Sequence, residues 1–253
     1  MTRDDFLEAL LQTMERKRHW AWTAFTTGQV PIELLHVHLE HEFEVYIRDF
    51  PIYLGRAFVQ CPIAAVRREL AGNLYEEETG GLSMGTPHPV LFMMYPQGLG
   101  MDTSRYDDVK LMPLAQEYRD WLDNITANHG WEVSTAVGTI FLEGTRYERG
   151  EVDGKSEKRP APPLEDHPLV KHYGLPLANL ELTRAHRQIE GAHRASAWHI
   201  LLDHVPAAAY QAVLDAMEIT LEKWKAYRDE VAFACGVRRD AKGQPHVPML
   251  AAG

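Results

Sequence analysis

The sequence is short of cysteine, of positive charge and of long apolar runs, and each shortage excludes something. Only Cys61 and Cys235 occur in 253 residues. They lie far apart without C-x-x-C spacing, so a disulfide framework is excluded and a reducing, cytoplasmic compartment is expected. Lys and Arg number 26 against 36 Asp and Glu, a net charge of −10. A nucleic-acid binder needs a basic face that releases counterions. The basic clusters here, "RKR" at 16–18 and "RR" at 238–239, are short enough to be solvated helix ends. No window approaches the roughly 20 apolar residues of a spanning helix. The start, "MTRDDFLEALLQTMERKRHW", carries acids where a signal peptide has its apolar core. The expected partner is therefore a small molecule, with neither nucleic acid nor membrane.

Strand-period alternation is absent too, and so are G-x-S-x-G, P-loop and G-x-G-x-x-G patterns. Hydrolase and nucleotide-binding functions lose their anchors. What is present is helical spacing in an ordinary globular composition, 45% hydrophobic and 25% charged. "DDFLEALLQTMERKRHWAWTAF" puts Phe6, Leu10 and Met14 on one face, with Asp4 or Asp5 placed to cap. Gly28 closes a helix and Pro31 suits a first turn. A further helix runs from Pro62 through "EEE" to Gly80-Gly81. "TGGLSMGTPHP" is a loop, and two long helices split at Pro206. The expected architecture is one all-α domain over 1–253, a bundle of about seven or eight helices. A charged, Pro-rich surface loop or lid is expected at 151–167, and a flexible tail at 237–253.

The chemistry-bearing stretch is "RAHRQIEGAHRASAWH" at 184–199. His186, Glu190 and His193 stand at i, i+4 and i+7, on one helical stripe. Two imidazoles and a carboxylate suit iron, manganese or zinc. Seen alone, such a stripe is more often a solvated face. Helix bundles that bind two metals draw ligands from several helices, so partners elsewhere decide the matter. Glu143 ends the small and apolar run "STAVGTIFLEG", where an unpaired carboxylate is costly to bury. Glu76, Glu77 and Glu78 close a helix against its dipole, and His88 follows the glycine loop. Of these, Glu78 and His88 join Glu143, His186, Glu190 and His193 as a set of three carboxylates and three imidazoles. The set fits two iron ions with positions open to O2, and suits calcium or magnesium poorly. "HVHLEHEFE" at 36–44 competes. From it Glu44 and His41 are kept as an extra ligand or as outer partners, beside His36 and His38 as proton donors. Arg48 is a candidate for a substrate carboxylate, and Trp22 and Tyr46 are candidates to line a pocket.

At these residues the chain resembles the heme-oxygenase-like diiron oxidases and oxygenases, relatives of pyrroloquinoline-quinone synthase and of the thiaminase II (TenA) proteins. The resemblance runs from "HWAWTAFTTGQVPIELLHVHLEHEFEVYIRDFPIYLGRAF" through "RRELAGNLYEEETGG", "HPVLF", "FLEG" and "KHYG" to the helix from 183, covering most of residues 15–230. It implies a heme-oxygenase-like fold, a homodimer and metal ligands at Glu78, His88, Glu143, His186, Glu190 and His193. Glu190 stands where the family usually carries aspartate. The resemblance also implies two Fe ions (Fe2+/Fe3+), O2 as co-substrate, an external electron donor, and N-oxygenation, desaturation or C–C cleavage of a small, amino-acid-derived substrate in a biosynthetic pathway. Two alternatives stand beside it: a metal-free binding or cofactor-synthesising relative, and a diiron enzyme that consumes its own Tyr or Lys. Thiaminase II chemistry needs a nucleophilic cysteine, which matches neither Cys61 nor Cys235.

Overall fold

Helix α1 (Arg3–Glu15) begins in a capping box. Thr2 Oγ1 accepts from the Asp5 amide, and Asp5 accepts from the Thr2 amide. The computed structural model describes residues 1–152 and 161–248, without the side chains of residues 151 and 190–193. Phe6, Leu10 and Met14 of α1 are buried, and Phe6 stacks on Tyr210 with ring centroids 4.0 Å apart. After α2 (Trp22–Thr26), α3 (Ile32–Glu42) runs without interruption into a π-helical turn, Phe43–Ile47, marked by the i+5 bond from the Arg48 amide to the Phe43 carbonyl, 3.0 Å. Helix α4 (Phe50–Gln60) packs on α5 (Ala64–Thr79), which stops at Gly80 in the left-handed conformation. A Cβ there would lie 2.3 Å from the Thr86 carbonyl oxygen, so the turn requires glycine.

Two short helices, α6 (His88–Phe92) and α7 (Met94–Gly98), precede α8 (Pro113–Asn128). Helix α9 (Trp131–Thr135) continues into a second π-helical segment, Ala136–Leu142, and α10 (Glu148–Val152) follows. Helix α11 (Pro168–Tyr173) leads to the two long helices, α12 (Glu181–His204) and α13 (Tyr210–Ala234), which are split at Pro206. Helix α13 packs along α8 and α1. This is the all-α bundle expected from the periodicity.

One place departs from expectation. Residues 238–246 form a two-stranded antiparallel hairpin, Arg238 opposite His246, within the stretch expected to be a flexible tail. Val237 is fully buried beside it and Val247 packs on the core, which holds the hairpin down. Of the expected lid, residues 153–160 lie outside the described residues. The rest includes a 3-10 turn, Leu164–Asp166, with the Pro162 carbonyl accepting from Arg187 Nη2 at 2.8 Å. Among the described residues no helix is long and apolar enough to cross a membrane.

The buried apolar side chains form two clusters. The larger joins α1, α4, α8, α9 and α13, and the smaller gathers around α6 and the start of α12. A cavity of about 220 Å³ at their seam takes its walls from both, with Phe50 and Leu142 from the larger and Ile47 and Leu182 from the smaller.

Candidate metal centre

Among the described residues, four carboxylate and imidazole side chains reach that cavity: Glu77 from α5, His88 at the start of α6, Glu143 just past the second π segment, and His186 from α12. Each is placed by a local feature of the chain. On α5, Val66, Leu70, Asn73 and Glu77 are all buried and stand at i, i+4, i+7 and i+11, so one inward stripe runs from apolar to polar. Asn73 uses its place on that stripe to donate to Glu143 Oε1 at 2.7 Å. Glu78 is one residue, or about 100°, further round the helix. It is exposed. Of the two, Glu77 lines the cavity and Glu78 does not.

Glu76, wholly buried, has a different task. It accepts from the Leu82 amide at 2.6 Å, from the Ser83 hydroxyl and from His88 Nε2 at 3.1 Å, and so ties the glycine loop to the helix that precedes it. Burial works against its charge. The hydrogen bonds from Ser83, Leu82 and His88 outweigh burial and lower its pKa. With Nε2 engaged by an ionised Glu76, His88 presents Nδ1 to the cavity side. That atom lies 2.9 Å from Glu77 Oε1, yet outside hydrogen-bonding alignment. Burial also disfavours a charged His88 ring, but the Glu77 and Glu76 carboxylates prevail and raise its pKa. Glu77 itself is pushed up, chiefly by burial.

Glu143 owes its position to the second π segment. Each π turn holds one residue more than an α turn, so the residues after Ala136–Leu142 are rotated from where an unbroken helix would put them. Lys17 closes the end of this segment by donating to the carbonyls of Phe141, Leu142 (3.4 Å) and Gly144 (2.7 Å). Burial, helped by the Arg228 cation, lowers Lys17 to about 7, while three carbonyl acceptors match its three donors. On α12, His186 faces His88 edge-on, ring centroids 5.1 Å apart. Glu190 and His193 follow on the same helix at the fourth and seventh positions after His186, and their side chains lie outside the described residues. Among the described residues, no group of three or more His, Cys, Asp or Glu side chains is gathered tightly enough to hold an ion.

The remaining candidates stand apart from the cavity. His41 is spent on backbone, with Nδ1 2.9 Å from the Val37 carbonyl and Nε2 accepting from the Met112 amide at 3.2 Å. Glu44 pairs with Arg48, and Arg48 Nη2 also pairs with Asp49 at 2.7 Å. Neither Glu44 nor Arg48 lines the cavity. Tyr46 does, on the first π turn, and its hydroxyl is held by Glu42 and by Arg228 Nη2 at 3.1 Å. Trp22 lines a second, larger cleft that meets the first at Tyr46. Both cysteines are buried away from the two spaces, and burial raises both thiols, that of Cys235 to about 12.

The donors fit iron. Two imidazoles and two carboxylates are the mixed set that borderline divalent metals take. Neighbouring ligands at about 2.1 Å from an octahedral ion lie about 3 Å apart, close to the unaligned approach of His88 Nδ1 to Glu77. The family model described as iron-containing redox enzyme matches residues 38–225, more than half of the chain. The chain belongs to the iron-containing redox enzyme family. As a family member it is an oxidoreductase with the heme-oxygenase-like fold. A TenA homologue from Pseudomonas syringae pv. tomato str. DC3000 has a similar crystal structure, with TM-score 0.66 and 12% identity over 91% of this chain and 92% of that one. At that identity the likeness is one of fold. No curated protein matches significantly. The matched stretch contains every expected ligand of this iron-containing redox enzyme, and Glu77 as well.

Proposed function

We propose that the protein is a non-heme diiron oxidase or oxygenase that uses O2 on a small organic substrate. The observation that carries this reading is the convergence of Glu77, His88, Glu143 and His186, from four separate segments, on one cavity. Glu190 and His193 are assigned with His186 by their register on α12. When bound, iron supplies the electrons that reduce O2, and an external donor restores them.

The chain's own part is to orient, to set protons and to exclude water. Glu76 accepts the Nε2 proton of His88 and so fixes the tautomer whose Nδ1 lone pair faces inward. Asn73 donates to Glu143 Oε1 and so orients that carboxylate at the cavity. Ile47, Phe50, Leu142, Leu182 and Ile189 give the cavity apolar walls that keep bulk water from the reacting groups. Tyr46, clamped by Glu42 and Arg228, lines both the cavity and the larger cleft beside it.

The test is O2 uptake at an oxygen electrode after anaerobic iron(II) loading, compared with zinc-loaded and metal-free protein. Uptake by the iron-loaded form alone, abolished in His186→Ala, is expected. Iron-loaded protein that consumes no more O2 than the zinc form overturns the proposal.

A further inference from the structure

The second space is a cleft of about 850 Å³ that shares Tyr46 and Leu142 with the metal cavity. It is cationic in a protein that is acidic overall. Its lining contains Lys17, Arg18, Arg146, Lys225, Arg228 and Arg239 against a single acid, Asp229, while the whole chain carries −10. Two of the six cations are held in the interior, whereas Arg146 and Arg239 contact cleft neighbours, Tyr147 and Asp229. Lys17 is committed to backbone carbonyls, and Arg228 is buried with Nη2 2.8 Å from Glu42 Oε1. The other four stand at the rim, Arg18, Arg146 and Arg239 exposed and Lys225 half-buried. The acid is occupied as well. Asp229 accepts from Trp20 Nε1, lies 3.1 Å from His19 Nε2 and is 3.4 Å from Arg239 Nη2.

Much of the remaining wall is aromatic: Trp20, Trp22, Tyr46, Phe141 and Trp224. Trp22 is 48% exposed, an unusual state for an indole over a concave surface. Exposed cations beside aromatic walls define a ligand with a head and a body.

We infer that this cleft binds the substrate as an organic anion, its acidic head at Arg18, Arg146, Lys225 and Arg239 and its apolar body along the tryptophans, on the side of the cleft that shares Tyr46 and Leu142 with the metal cavity. Among the described residues the cleft offers no unpaired carboxylate to hold an ammonium beside the acidic head. An apolar acid fits, in preference to an amino acid held by both its charged ends. Carboxylate and phosphate heads share the chemistry the rim reads. The inference deepens the proposed function and rests on it only for placing the reaction in the inner cavity.

The experiment measures tryptophan fluorescence quenching in metal-free protein, so its outcome is independent of iron. The probes are 4-phenylbutyrate, 4-phenylbutyl phosphate, 4-phenylbutyramide and 2-amino-4-phenylbutyrate. Both anions are expected to bind, and the tighter of the two names the head group. The amide and the amino acid are expected to bind more weakly. Arg18→Gln combined with Lys225→Gln, both distant from the core, should weaken the anions about fivefold while leaving the amide unchanged, and added salt should do the same. Equal binding of the amide, tighter binding of the amino acid, or anion affinities unaltered by the double substitution would each overturn the inference.

Discussion

Asn73 and Glu143, seventy residues apart, meet across 2.7 Å and join α5 to the end of the second π segment. The bond orients a candidate ligand from behind. Outer partners of this kind are worth about 10–100-fold in metal affinity. Asn73→Leu keeps the volume and removes the donor. It is expected to weaken iron(II) binding by that factor in a competition titration against a chelator, with the thermal midpoint of the metal-free protein changed far less.

Glu76 is expected to matter before any metal arrives. Glu76→Ala leaves the Leu82 amide, the Ser83 hydroxyl and His88 Nε2 without their acceptor. Stranding buried donors of this kind costs about 3 kcal/mol. Denaturant titration of metal-free protein should show the loss. Glu78→Ala, at an exposed position, should show almost none.

Lys17 is expected to hold the second π segment in place. Lys17→Met preserves the stem and removes all three carbonyl bonds. Hydrogen exchange over residues 136–144 should quicken in this variant while α1 and α13 stay protected. Unchanged protection there would show that the cap contributes nothing.

The buried His38 gives a pH dependence whose sign is fixed. Burial lowers it to about 4 from an ordinary 6.5, against the pull of Glu42 and with Arg228 assisting. In the fold Arg228 Nη1 lies 3.3 Å from His38 Nδ1, which suits a neutral ring that accepts. The unfolded chain takes up the proton first, so the stabilisation is complete above pH 6.5 and is lost as pH falls from 6.5 to 4. Unfolding free energies from urea titrations at pH 7 and pH 5 should differ by on the order of 1–2 kcal/mol from this residue alone. His38→Gln should flatten that window. Below it, Glu42, which Arg228 and His38 hold at about 2 despite burial, keeps its contribution until the pH falls well under 4.5.

Much of the fold was legible because it is written in apolar period. Phe6, Leu10 and Met14, the split at Pro206 and the stop at Gly80 all follow from one-dimensional pattern. The π segments were not legible. Nothing in "FEVYI" or "AVGTIFL" departs from ordinary helical composition, and the extra residue per turn is imposed by what packs around it. That is why Glu143 could be chosen for its buried run but not placed. The choice of Glu78 over Glu77 had a usable signal. Extending the Val66–Leu70 stripe by 3 and 4 residues leads to Asn73 and Glu77, and the triple glutamate hid it. Arg48 and His41 looked available because their partners, Asp49 and the Met112 amide, become neighbours only through local turns and tertiary contact. The cationic cleft was hidden in a net charge of −10, which averages over a surface that is locally the opposite.

The most direct test of the account is the iron content of wild type, Glu77→Gln and Glu78→Gln after anaerobic iron(II) loading and desalting. The account predicts about two irons per chain in wild type, as in carboxylate–histidine helix bundles, a marked loss in Glu77→Gln, and full content in Glu78→Gln. A wild type that retains no iron, or a loss in Glu78→Gln with Glu77→Gln intact, would contradict it.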